Sequence, residues 1–76
     1  MLSRTEHLVV DRKAVRLEIN EYRGGAEVIV HDGSGRGEYE TRDFDTLADA
    51  VAKFEHLLNV AANEFGYEVM VAVLNG

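Results

Sequence analysis

The groups able to do chemistry in this chain are fourteen Asp and Glu, three His and two Ser, with no Cys. The histidines are His7, His31 and His56. A helical metal site wants His at i and i+4, as in H-E-x-x-H, and no such pair occurs. Three unrelated polar positions are the simpler account, so neither metal nor cofactor is expected. Gly33, Ser34, Gly35, Arg36 and Gly37 have the composition of a phosphate-binding loop. That mechanism needs a helix N-terminus straight after the loop, with Lys-Ser/Thr on it. A strand-like segment follows instead, so a hairpin loop is expected. A nucleophile would have to be Ser3 or Ser34, and neither sits in G-x-S-x-G. Fourteen carboxylates bring some pairs together by chance. Acid–base catalysis needs two of them in a cleft with divergent pKa values. A two-layer domain of 76 residues offers little cleft. The expectation is therefore a binding protein and not an enzyme.

Two groups of residues are candidates for binding. Glu38, Tyr39, Glu40, Asp43 and Asp45 place four carboxylates around one aromatic, directly before an apolar helical run. An aromatic flanked by carboxylates can anchor an Arg- or Lys-rich partner. The competing account is a half-buried strand tyrosine whose charged neighbours protect a sheet edge from aggregation. The second group is the strand face bearing Arg16, Glu18, Asn20 and Tyr22, which is polar with one aromatic.

The net charge is −6 and unevenly spread. Residues 1–23 hold five basic and four acidic groups, and the remainder holds three basic and ten acidic. Nucleic-acid binding wants a basic stripe, because phosphate neutralisation supplies most of the affinity. This chain presents the opposite field, which suits a basic protein partner or simply keeps a small protein soluble. No apolar run approaches the ~20 residues of a membrane helix. MLSRTEHLVV lacks an apolar stretch of signal-peptide length. With no Cys, the chain is expected to work in a reducing compartment, the cytoplasm.

These side chains need elements to position them. HLVV, residues 7–10, reads as a short strand, and DRK as a turn. Residues 14–22 alternate, with Val15, Leu17 and Ile19 on one face. Arg23, Gly24 and Gly25 supply a tight turn into a returning strand over 26–32. Residues 38–43 read as a polar edge strand. From Thr46 to Phe65 the period changes to 3.6: Leu47, Ala50, Val51, Phe54, Leu57, Leu58, Ala61 and Phe65 form one stripe. Asp49, Lys53, His56, Asn59 and Asn63 mark its wet side. Thr46 with Asp49 resembles a capping box, and Gly66 suits the C′ stop. EVMVAVL, residues 68–74, reads as a last strand apolar on both faces. One helix covers only one face of a sheet, so either a second copy covers the other or the strand end tucks under a loop. The fold expected is a single α+β domain of two layers, β-β-β-β-α-β, an antiparallel sheet with one long helix across it.

Residues 15–54, VRLEINEYRGGAEVIVHDGSGRGEYETRDFDTLADAVAKF, resemble the central part of a small phage-encoded type I-F anti-CRISPR family. That family also runs strand, turn and returning strand into RDFD with Ser/Thr opening a helix, here Arg42-Asp43-Phe44-Asp45-Thr46. The resemblance implies a protein of a bacterial host's cytoplasm that binds a CRISPR effector subunit and blocks target DNA. The family's contact uses tyrosines and a glutamate on the sheet. The matching positions here are Glu6, Asn20 and His31, so none of those contacts carries over. Tyr22, two residues beyond Asn20 on the same face, is the candidate substitute. The strand expected over 68–74 departs from that family's helical end. A second stretch, DTLADAVAKFEHLL, is similar to the helix entry of HicB-type antitoxins, without their preceding proline-containing segment. The alternative function is accordingly an antitoxin or other small interaction domain.

Overall fold

The structure is a computed structural model and describes residues 1–33 and 37–76. Residues 34–36, the centre of the expected glycine-rich loop, lie outside the described residues. Four strands come first: β1 Ser3–Val10, β2 Lys13–Tyr22, β3 Gly25–Asp32 and β4 Tyr39–Phe44. They pair in chain order as an antiparallel meander. Two helices follow, α1 Leu47–Ala62 and α2 Tyr67–Asn75, and both pack on the same sheet.

The alternation in β2 and β3 decides which face they cover. Val15, Leu17 and Ile19 pair across with Asp32, Val30 and Val28, and the apolar members all point to the helices. From α1, Ala50, Phe54, Leu57 and Ala61 close on them at helical spacing. Thirteen buried apolar residues form this core, and among the described residues no polar or charged side chain is buried. Fully burying a Leu, Ile, Phe or Met contributes roughly 1.5–3 kcal/mol, so this single layer carries most of the stability.

The connections use backbone that the side chains do not favour. Asp11 (φ 47) and Arg12 (φ 67) both sit in the left-handed region between β1 and β2. Two positive φ values are the signature of a type I′ hairpin turn, which fits the strand twist. At the next turn Gly24 (φ 94) takes the position that no other residue accepts cheaply.

Helix α1 begins as expected: the Thr46 side chain accepts a hydrogen bond from the Asp49 backbone N–H at 3.2 Å. It ends earlier than expected. Asn63 is its C-cap, and Glu64 takes the left-handed conformation (φ 63). The Glu64 N–H bonds the Ala61 carbonyl and the Phe65 N–H bonds the Val60 carbonyl, at 2.9 and 3.3 Å. That pair of bonds is a Schellman stop, with Glu64 in the place usually held by glycine. The expected stripe therefore loses its last member: Phe65 is 52% exposed.

The main correction concerns residues 68–74. They are not a fifth strand but most of α2, and Gly66 is the N-cap of this helix instead of the C′ residue of α1. The helix is a second one, so the layer over the sheet is two short helices and not one long one. The strand reading rested on three valines and on an apolar face on each side. On a helix the same residues give a stripe at i, i+3, i+4, i+7: Tyr67, Met70, Val71 and Leu74. Met70 and Leu74 are fully buried, while Glu68, Val69 and Ala72 face outward. The helix cost of valine is a few tenths of a kcal/mol, and burial of Met70 and Leu74 outweighs it. The expectation of a dimer drew on a strand that needed cover on both sides. With that run helical, Met70 and Leu74 are buried within one chain and among the described residues no sheet strand is left apolar on both faces, so this reason for a partner copy falls away. Among the described residues no helix is long and apolar enough to cross a membrane.

Candidate functional site

Both helices lie on one side of the sheet, so the other side is open. Side chains on this open face stand in rows across the strands. His7, Arg16, His31 and Tyr39 make one row, Thr5, Glu18, Ile29 and Thr41 the next, and Ser3, Asn20, Glu27 and Asp43 a third. The expected polar face of β2 is thus the centre of the open face, and Tyr22 lies at its end.

Its middle is a small charged network. Arg16 Nη2 lies 3.1 Å from His31 Nδ1. Arg16 Nε and His31 Nε2 lie 3.0 and 3.4 Å from the same Glu18 carboxylate oxygen. Neither nitrogen makes a directed hydrogen bond to it, so the Arg16 guanidinium is held to Glu18 by charge and not by alignment. The Tyr39 ring packs against the His31 ring, centroids 5.5 Å apart. Ser3 and Asn20 close the neighbouring row by a 2.7 Å hydrogen bond.

Tyr22 reaches two strands away. Its hydroxyl donates to Asp43 on β4 at 2.9 Å. The ring crosses β3 at Gly25, where a Cβ would come within 3.4 Å of it. A Cβ there would also run into the Phe44 carbonyl oxygen, so Gly25 serves the ring and the strand pairing together. The Tyr22 phenol is pushed above its usual pKa first by the hydrogen bond to Asp43, then by desolvation, and then by the charges of Asp43, Glu27 and Asp45.

The six residues expected to bind a partner therefore fall into two groups, one at each end of β4. Tyr22, Asp43 and Asp45 gather at the end of β4. Glu38, Tyr39 and Glu40 gather at its start. The two groups are about 13 Å apart at the rise of an extended strand. Between them Arg42 is the only cation of residues 38–45, and it is turned toward the helices. Its Nη1 donates to the carbonyls of Leu74 at 2.9 Å and Gly76 at 3.1 Å, and its guanidinium lies over the Phe44 ring. The free edge of the sheet at β4 is consequently acidic, with its one cation occupied.

Glu38, Tyr39 and Glu40 also line a groove of about 550 Å³ between β4 and α2, bounded by Gly37, Tyr67, Glu68 and Val71 as well. Tyr67 and Glu68 were not among the expected residues. Reading 68–74 as a strand hid them, and the helical spacing of Tyr67, Met70, Val71 and Leu74 was the signal available. Burial raises the Tyr67 pKa first, and the charges of Glu40, Glu38 and Asp32 raise it further. Among the described residues no cluster of three His, Asp or Glu has the arrangement of a metal site. His7 and His56 do not join His31.

Set beside known protein families, curated proteins and solved structures, the chain matches none.

Proposed function

We propose that this protein is a small acidic inhibitor that binds a basic protein surface, and that its target is the nucleic-acid-binding surface of a CRISPR effector complex. The observation that carries the reading is the β4 edge. Glu40 and Asp43 lie on β4, Glu38 and Asp45 flank its two ends, two tyrosines lie beside them, and Arg42 is tied to the last turn of α2. Such an edge mimics the charge of a nucleic-acid backbone without its chemistry, and it steers toward basic grooves. The resemblance over residues 15–54 supports the choice of target. The helical end, α2, removes the architectural departure from that family which a fifth strand would have made. The similarity to HicB-type antitoxins covers residues that capping and core packing already explain: Thr46, Leu47, Ala50, Phe54 and Leu57. It therefore adds no support to the antitoxin alternative.

The test is a pull-down against purified effector complexes, joined to a target-DNA binding assay. Association with one effector and loss of its DNA binding is the expected result. A Glu38→Lys/Asp43→Lys variant should lower the association rate about tenfold at low salt and much less at high salt. No association with any effector would remove the proposed target. Unchanged association kinetics in the variant would remove the electrostatic mechanism.

A further inference from the structure

We propose that the groove between β4 and α2 is an arginine pocket: a guanidinium from the basic partner enters it, pairs with Glu40 and Glu68, and stacks on Tyr67. This rests on the reading of the protein as a binder of basic surfaces and names where one residue of that surface docks.

Four observations carry it. The groove is about 550 Å³, ample for one long side chain, and among the described residues it is lined by Glu38, Glu40 and Glu68 with no cation in its walls. Elsewhere several carboxylates are engaged: Glu6 with Arg4, Glu18 with Arg16 and His31, Glu21 with the Leu2 N–H, and Asp43 with Tyr22. None of the three groove carboxylates has a hydrogen bond or ion pair among the described residues. Tyr67 is half-buried and makes no side-chain hydrogen bond, and it lies in the field of Glu40 and Glu38. Val71 supplies an apolar floor for the methylene stem.

The chemistry favours Arg over Lys. A guanidinium is planar, offers a fork that two carboxylate oxygens accept together, and stacks on an aromatic ring. An ammonium is a compact and strongly hydrated point charge, which loses more on leaving water. Among the described residues Lys13 lines an adjoining pocket that shares Glu38, Tyr67 and Glu68, but it makes no ion pair with them, and two further cations are engaged elsewhere. Arg42 is held by Leu74 and Gly76, and Lys53 by Val73 at 2.8 Å.

The experiment uses the full chain and a short blocked peptide, acetyl-Gly-Arg-Gly-amide, so it needs no effector. Amide chemical shifts are followed during titration. The expected result is millimolar, saturable binding, with shifts concentrated at Tyr39, Glu40, Tyr67, Glu68 and Val71. The lysine peptide should bind about fivefold more weakly, and the citrulline peptide, which lacks the charge, should not saturate. Glu68→Gln and Glu40→Gln should each weaken the arginine peptide about fivefold, the scale of one surface ion pair at ~1 kcal/mol. Glu55→Gln on the exposed side of α1 should change nothing. Shifts spread evenly over exposed carboxylates, or equal binding of the arginine and lysine peptides, would overturn the pocket. An effector that fails to bind the protein leaves this titration unaffected, so the two proposals fail separately.

Discussion

Replacing Arg42 by Met should undock α2. The helix has nine residues and no basic group in its last turn. Its C-terminal carbonyls carry the negative end of the helix dipole, and two cations from elsewhere in the chain meet them. Arg42 on β4 donates to Leu74 and Gly76, and Lys53 on α1 donates to Val73 at 2.8 Å and Gly76 at 3.3 Å. Met keeps a stem over the Phe44 ring and removes only the charge and its hydrogen bonds. A hydrogen bond to a charged group contributes about 1.5–3 kcal/mol. The Leu74 bond is part-buried and counts nearly in full, whereas the Gly76 bond is exposed and contributes little. The expected loss is about 1.5–2 kcal/mol, or roughly 10 °C in Tm for a chain of this size. Lys53→Met should lose a similar amount, since its 2.8 Å bond to Val73 is also part-buried while its bond to Gly76 is exposed. Because both cations reach Gly76, the double variant should lose less than the sum. Thermal and urea unfolding measure the total, and amide exchange across Tyr67–Asn75 locates it. A Tm change under about 2 °C for Arg42→Met, or exchange in α2 no faster than in the parent, would refute the role assigned to these cations.

Arg12→Gly should stabilise the protein by about 0.5–1 kcal/mol, because an L residue at φ 67 carries a penalty that glycine avoids; a lower urea midpoint would contradict the type I′ turn. Glu64→Gly should gain a similar amount at the Schellman stop, checked the same way. Gly25→Ala should be strongly destabilising, and by fluorescence or NMR it should release Tyr22 from Asp43, since the new methyl meets the Phe44 carbonyl oxygen. The two raised tyrosines set an alkaline limit. Their pKa values lie above the unfolded value near 10, so the stability they contribute is intact below pH ~10 and is lost as pH rises through the folded values. Absorbance titration should show both phenols ionising late, and Tyr67→Phe should flatten the alkaline fall in stability; a fall unchanged in that variant would exclude Tyr67 as its source.

Strands β2 and β3 were legible because alternation leaves one reading: a slip by one residue would expose Val15, Leu17 and Ile19 together. The start of α1 was legible because Thr46 and a 3.6-residue stripe agree. The turn at Asp11 and Arg12 was visible only as a polar break, since neither residue announces a left-handed backbone. The candidate site was half legible. Tyr22, Tyr39 and the β4 carboxylates could be named from composition, but their division into two groups depends on Tyr22 passing over Gly25 to Asp43. Tyr67 and Glu68 could not be named without the helix that carries them.

The sequence by itself determined four strands, the start and apolar face of the first helix and the acidic stretch that precedes it, because each follows from local period, turn chemistry or charge. Only the tertiary structure decided residues 67–75. A nine-residue segment with three valines is too short to be a stable helix alone, and its apolar pattern fits strand and helix equally. What selects the helix is contact at long sequence separation: Met70 and Leu74 enter the core, and Arg42 and Lys53 hold the final carbonyls. None of those partners lies within the segment, so no window over residues 67–75 contains the information that folds it.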